Sequence, residues 1–186
     1  IQALDRTQPS LPMKRERGGT ATHDYKRSGT TNLFAALNVA TGEVISECMP
    51  QHRHDEFLVF LKKVEGQTPV GLDIHAIVDN YAAHKHAHVQ AWLATHPRVR
   101  LHFTPTSASW LNLVERLFAE VTDKAIRRGV FTSVKSLEAA IETYLAERNR
   151  KPRPYTWTAT VEAIITKVGR AQSALTSVID SSVPLH

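Results

Sequence analysis

The sequence predicts an α/β fold, with helices packed against a mixed sheet. Apolar periodicity alternates between the strand and helix templates, and the segments follow in the order hairpin, helix, strand, helix, strand, helix, helix. Composition bounds the answer. The 186 residues are 42% hydrophobic and 22% charged, the balance of one globular domain that buries a core without disulfide or metal staples.

Residues 30–39, TTNLFAALNV, a Thr41-Gly42 turn and EVISEC predict an antiparallel hairpin. DEFLVFLKKVEG places Phe57, Leu58, Leu61 and Val64 on one helical face, with Asp55 as the expected cap and Gly66 with Pro69 as the stop. LDIHAIVDN returns to period two: Leu72, Ile74, Ala76 and Val78 share a face, and Asp79 ends the strand. A helix from His84 to Thr95 runs through Val89, Trp92 and Leu93 and closes before Pro97. Val99, Leu101 and Phe103 then alternate until Pro105.

The longest helical pattern starts at Ser107 or Ser109 and ends at Arg128, before Gly129. Its buried stripe is Trp110, Val114, Leu117, Phe118, Val121 and Ala125; Glu115 lies beside it with Asn112, Ala119 and Thr122, a small and polar strip suited to facing a site. A helix over 134–148 buries Leu137, Ile141, Tyr144 and Leu145, and a last one covers 159–168. Residues 1–168 read as one domain and 169–186 as a tail.

The formal charge is +5, which favours a polyanionic partner. Lys14, Arg15, Arg17, Lys26 and Arg27 crowd a glycine-containing stretch that reads as a loop; Arg127 and Arg128 close the long helix; Arg148, Arg150, Lys151 and Arg153 form the acid-free run RNRKPR. Such runs either hold successive phosphates of a nucleic-acid backbone or are solvated surface. No apolar stretch approaches the roughly 20 residues of a membrane helix. A lone cysteine, Cys48, and no apolar leader make the cytoplasm the expected location.

In α/β sheets ligands gather at the carboxyl ends of strands. Asp79 occupies such an end and Glu115 projects from the helix after the next strand, with 35 residues between them. Each also has a bland reading, a strand-end turn residue and a solvated helix charge.

The runs IVDNYAAHKH, HFTPTSASWLNLVERLF and DKAIRRGVF resemble the mariner-related bacterial insertion-sequence transposases of the IS six-thirty family. The resemblance extends from QALDRTQP through NRKPRPYTWT to about residue 168. It implies a ribonuclease-H-like DDE catalytic domain, with Asp79 as the second acid of the triad and Glu115 as the third. The family's first acid lies on the central first strand, just upstream of the text resembling QALDRTQP. The resemblance therefore implies that this acid, that strand and the preceding helix-turn-helix region are missing from residues 1–186, and that the chain alone is inactive. Asp5 belongs to the QALDRTQP segment and is not expected to replace the acid. Without the first strand, TTNLFAALNV and LDIHAIVDN are expected to present unpaired edges.

The implied chemistry is phosphodiester hydrolysis and strand transfer with two Mg²⁺ (or Mn²⁺) ions on carboxylate oxygens. Asp79 is expected to bridge them, Glu115 to hold one, and Asn80 to orient Asp79 or water. Double-stranded DNA, as element ends and target, is the expected partner of a protein acting as a homodimer or higher. Two other readings stand beside this one, a DNA-binding remnant that does not cut and a ribonuclease-H-like structure-specific nuclease. His52, His54, His75, His84, His86 and His88 invite a zinc reading, and His84 with His88 has i, i+4 spacing. With no HExxH pattern or cysteine pair, donation to phosphates is preferred. Trp110 and Trp157 read as packing anchors rather than base-stacking platforms.

Overall fold

A computed structural model describes residues 1–6, 25–105, 111–127, 129–156, 160 and 162–170. Three two-stranded sheets carry the strands: β1 (Gln2–Arg6) with β2 (Tyr25–Thr30), antiparallel; β3 (Asn32–Leu37) with β4 (Val44–Met49), antiparallel; and β5 (Ile74–Val78) with β6 (Val99–Phe103), parallel. Helix α1 (His54–Gln67) precedes β5. A 3₁₀ turn (Ala82–Lys85) and α2 (Ala87–Thr95) cross from β5 to β6, and α3 (Val114–Val121) and α4 (Val134–Arg150) follow. Residues 162–170 are also helical.

The β3–β4 hairpin is the middle layer, because its side chains alternate between two cores. Leu33, Ala35, Leu37, Val44 and Cys48 face a cluster containing Leu117, Val121, Leu137, Ile141 and Leu145 of α3 and α4. Phe34, Ala36, Ile45 and Met49 face Phe57, Phe60 and Leu61 of α1 and Val89 of α2. Val78 and Leu101 bring the parallel pair against this second core. Among the described residues no ladder joins β3 to β5.

Several expectations need correction. Lys26 and Arg27 lie on β2, not in a loop: QALDR pairs across to YKRSGT, Asp5 opposite Lys26, and Ala3 is fully buried in the first core. Helix α1 buries Phe60, whereas Leu58 is only half-buried, because 57, 60, 61 and 64 follow the helical repeat. Its N-cap position is Arg53, so Asp55 sits in the first turn, and Glu56 accepts from the Arg53 backbone N–H at 3.2 Å. Leu72 is exposed and precedes β5.

In the segment expected as one helix to Arg128, the α-helix among the described residues is α3, which starts at Val114 after Asn112 Oδ1 accepts from the Val114 N–H at 3.2 Å. Over Thr122–Ile126 the helix widens to a π-turn that closes with Arg127 N–H to Thr122 O at 2.7 Å. The expected caps Ser107 and Ser109, Trp110, Arg128 and Trp157 lie outside the described residues. Helix α4 runs to Arg150, so Arg148 and Arg150 are helical.

The far end of the hairpin is fastened to α4. Asn149 takes the part of a strand neighbour at the edge of β4, accepting from Val44 N–H at 3.0 Å and donating to Val44 O at 2.7 Å. Gly42 turns the hairpin at φ +80°, and a Cβ there would run into the Arg153 carbonyl and Pro154 nitrogen. Gly42→Ala is therefore expected to lower the urea unfolding free energy by about 1–2 kcal/mol. No helix among the described residues is long and apolar enough to cross a membrane.

Candidate active site

Asp79 follows the last residue of β5, where the parallel ladder ends with Thr104 N–H donating to Val78 O at 2.9 Å. Its carboxylate is half-exposed and one oxygen, Oδ1, lies 2.9 Å from His84 Nδ1. The same ring nitrogen lies 3.2 Å from the Asp79 carbonyl. Both oxygens are acceptors, so Nδ1 carries the proton and donates to both.

His84 is 7% exposed and packs between Phe57, at 4.1 Å between ring centroids, and the edges of Tyr81 and His52. Burial disfavours its charged form and outweighs the pull of the Asp79 carbonyl and carboxylate, so its pKa lies below the ordinary value. A neutral ring locked in this packing fixes one oxygen of Asp79 and leaves the other without a partner among the described residues. The expectation that His84 donates to DNA phosphates, or joins His88 in a zinc pair, is therefore wrong: the ring is turned under Asp79.

Glu115 stands exposed in the first turn of α3, where the positive end of the helix favours its charge. Asn112, three residues earlier, ties that turn to β5, its Nδ2 donating to Ile77 O at 3.3 Å. Its own carbonyl accepts from the Glu115 N–H at 3.1 Å. One asparagine thus anchors the helix start that carries Glu115 to the strand end that carries Asp79. Ala119 and Thr122 are exposed on the same side as Glu115, so the small and polar strip is open. Asp5 lies on the β1–β2 ribbon, which packs on α4.

Among the cations, Lys14, Arg15, Arg17 and Arg128 lie outside the described residues. Lys26 and Arg27 are exposed on β2. Arg127 pairs with Asp123 at 3.2 Å and Arg150 with Glu147 at 2.7 Å, on open surface where such pairs contribute little. Lys151 and Arg153 are exposed.

Arg148 is not a free surface cation. Nearly buried, it donates to the Gly42 carbonyl and, at 3.1 Å, to the Arg153 carbonyl, and covers the Tyr155 ring. This docks the RNRKPR run at the Gly42 turn. His52, beyond the opposite end of β4, stacks on Tyr81 beside Asp79.

Sequence reasoning missed His84 and Asn112 as supports of the acids. The available signals were a histidine five residues after Asp79 and an asparagine three before Glu115 at a helix start.

A family profile described as DDE superfamily endonuclease matches residues 3–138. The "Insertion element IS630 uncharacterized 39 kDa protein" of Shigella sonnei is 30% identical over 115 residues, 61% of this chain and 33% of that relative. The chain thus spans about a third of the length of the curated relative it matches. The catalytic core domain of BIV integrase superposes with a TM-score of 0.50 at 16% identity, covering 77% of this chain and 90% of that one. At that identity the likeness speaks to the fold, and it agrees with the expected ribonuclease-H-like class.

Proposed function

The chain belongs to the DDE superfamily endonucleases, and from that premise we propose that it is the catalytic domain of an insertion-sequence transposase of the IS six-thirty type. It would cut DNA at element ends and join the freed 3′-hydroxyl to a target. The observation that carries this reading is the Asn112 bond to Ile77 O, which fastens the helix bearing Glu115 to the strand end bearing Asp79.

The donor set fits hard divalent cations: two carboxylates, half-exposed and exposed, one with a single oxygen already held by a buried imidazole. Asp79 and Glu115 would hold Mg²⁺ or Mn²⁺, which supplies charge to activate the attacking oxygen and stabilise the leaving one. His84 keeps the Asp79 carboxylate in one orientation, and Asn112 keeps Glu115 in register with it. Lys26, Arg27 and Arg127, with Lys14, Arg15, Arg17 and Arg128, are proposed to contact phosphates of double-stranded DNA. Arg150, Lys151 and Arg153 would contact further phosphates of the duplex. The whole protein is proposed to act in the cytoplasm as a dimer or larger assembly.

The test is an assay on a duplex carrying element ends, with Mg²⁺ or Mn²⁺ and the protein extended upstream through its reading frame. Cleavage followed by joining to target DNA is expected. Cleavage of junctions or hybrids without joining would favour a structure-specific nuclease, and metal-independent binding without cutting would favour a DNA-binding remnant.

The support from His84 has its own expected result. His84→Ala should weaken Mn²⁺ binding about 10- to 100-fold, as removing the partner of a metal-ligating group does. His84→Asn, which can still donate to Asp79, should recover part of the loss. Titration of Mn²⁺ followed by its electron spin resonance measures both.

A further inference from the structure

Apart from the acidic site, a group of ligand-capable side chains lies where the N-termini of α1 and α2 meet. His54 opens α1, His86 holds the N-cap position of α2 and His88 is in its first turn; ligand atoms of the three all lie within 4.8 Å of one another. His54 stacks on His86 with 3.5 Å between ring centroids, and His88 meets the two rings edge-on at 5.3 and 4.8 Å. Asp55 adds a carboxylate, its Oδ1 lying 3.2 Å from His54 Nε2 and 3.9 Å from His88 Nδ1.

We propose that His54, His86, His88 and Asp55 bind a late divalent transition metal, with Zn²⁺ the best fit, and that the ion clamps α1 to the segment following Asp79. Three imidazoles and one carboxylate are a donor set of borderline softness, which suits Zn²⁺ and does not suit Mg²⁺. The site differs in kind from the all-oxygen pair of Asp79 and Glu115.

Core packing does not explain the convergence, since His88 is exposed and His86 is not buried. Tetrahedral Zn²⁺ with bonds of about 2.0–2.1 Å wants its ligand atoms roughly 3.3 Å apart. The rings must therefore close up and His54 and His86 must unstack, which rotation of unburied side chains permits. One contact is given up. His86 Nδ1 accepts from the His88 backbone N–H at 3.3 Å; ligation through Nε2 moves the ring proton to Nδ1 and ends that long bond. The positive ends of two helices oppose a cation, and the Asp55 charge offsets them.

The four residues come from two segments 31 positions apart, Asp55 to His86, so the zinc reading of the sequence groups His54, His86 and His88 with His52, His75 and His84 and does not single them out. Its consequence for the fold is local. The 3₁₀ turn that carries His84 sits between Asp79 and His86, so an ion at His86 and His88 pins that turn against α1.

The experiment is a competition titration of Zn²⁺ against a chromophoric chelator with the 186-residue chain, with Co²⁺ absorption reporting tetrahedral geometry. One ion per chain is expected, with binding unaffected by excess Mg²⁺ or by Asp79→Asn, and a rise in thermal midpoint on saturation. His54→Ala and His88→Ala should each weaken binding at least about tenfold and remove the rise. His75 and His102, adjacent rings on β5 and β6, are the control, and His75→Ala should change nothing. If His54→Ala lowers the metal-free midpoint, the more exposed His88→Ala decides. Binding unchanged in His88→Ala, lost in His75→Ala, or displaced by Mg²⁺ would overturn the site.

Discussion

Asp79→Asn and Glu115→Gln are each expected to reduce metal-dependent cleavage of an element-end duplex by about 10³-fold or more in the upstream-extended protein, while leaving its fold intact. Several kcal/mol of transition-state stabilisation rest on the ions these carboxylates hold, and about 4 kcal/mol corresponds to that factor. Both substitutions keep shape and remove charge. Asp79 is half-exposed and Glu115 exposed, so neither fills a core position. In Asp79→Asn the amide oxygen can still accept from His84, so the site keeps its geometry and loses its anion. Circular dichroism and thermal midpoints within a few degrees of the parent, together with lost cleavage, would place the effect in the chemistry. Retained cleavage in either variant would remove that acid from the site.

A second large effect belongs to stability. Glu120 on α3 accepts from Tyr144 Oη at 2.6 Å, from Lys124 Nζ at 2.8 Å and from the Tyr155 hydroxyl, with Arg148 Nε at 4.0 Å. Burial raises its pKa, but hydrogen bonds from Lys124, Tyr144 and Tyr155 and the charge of Lys124 prevail and hold the carboxyl at about 2.

The folded pKa is depressed, so the contribution is complete above the ordinary value of 4.5 and is lost as pH falls from there towards 2. A difference of that size corresponds to about 3 kcal/mol, reduced to roughly 2 kcal/mol by screening on its solvent side. Glu120→Ala should cost about 3 kcal/mol at pH 7, since two tyrosine hydroxyls and Arg148 lose their acceptor. Urea unfolding at pH 7 and at pH 3 checks both: the parent should lose stability between them through this carboxyl, and the variant should lack that component of the loss.

The parts of the fold legible in the sequence are those whose partners lie close along the chain. NLFAAL and VISECM are short apolar-rich runs joined by a short turn, and the apolar residues stand on both faces because each face meets a separate core. Helix α4 was equally plain through Leu137, Ile141 and Leu145.

The β1–β2 ribbon was not legible: YKRSGT has no apolar alternation, and its partner QALDR lies some 20 residues earlier, so only a long-range ladder defines it. Arg148 shows the same limit. In RNRKPR it looks like its neighbours, and only the approach of Gly42, Glu120 and Tyr155 turns it into an internal brace.

At the candidate site Asp79 could be named from its place at a strand end, Glu115 from the small and polar strip of the following helix, and both from the family resemblance. His84 could not be assigned to Asp79, because its role depends on burial against Phe57, which lies on another element.

The central claim is that Asp79 and Glu115 converge on shared metal, and the most direct measurement is Mn²⁺-induced broadening of amide resonances in the 186-residue chain. Simultaneous broadening of residues 78–80 and 112–116 at the same Mn²⁺ concentration, abolished in both segments by Asp79→Asn, is the predicted result. Broadening of one segment without the other, or persistence at 112–116 in Asp79→Asn, would mean that the two carboxylates do not form one site.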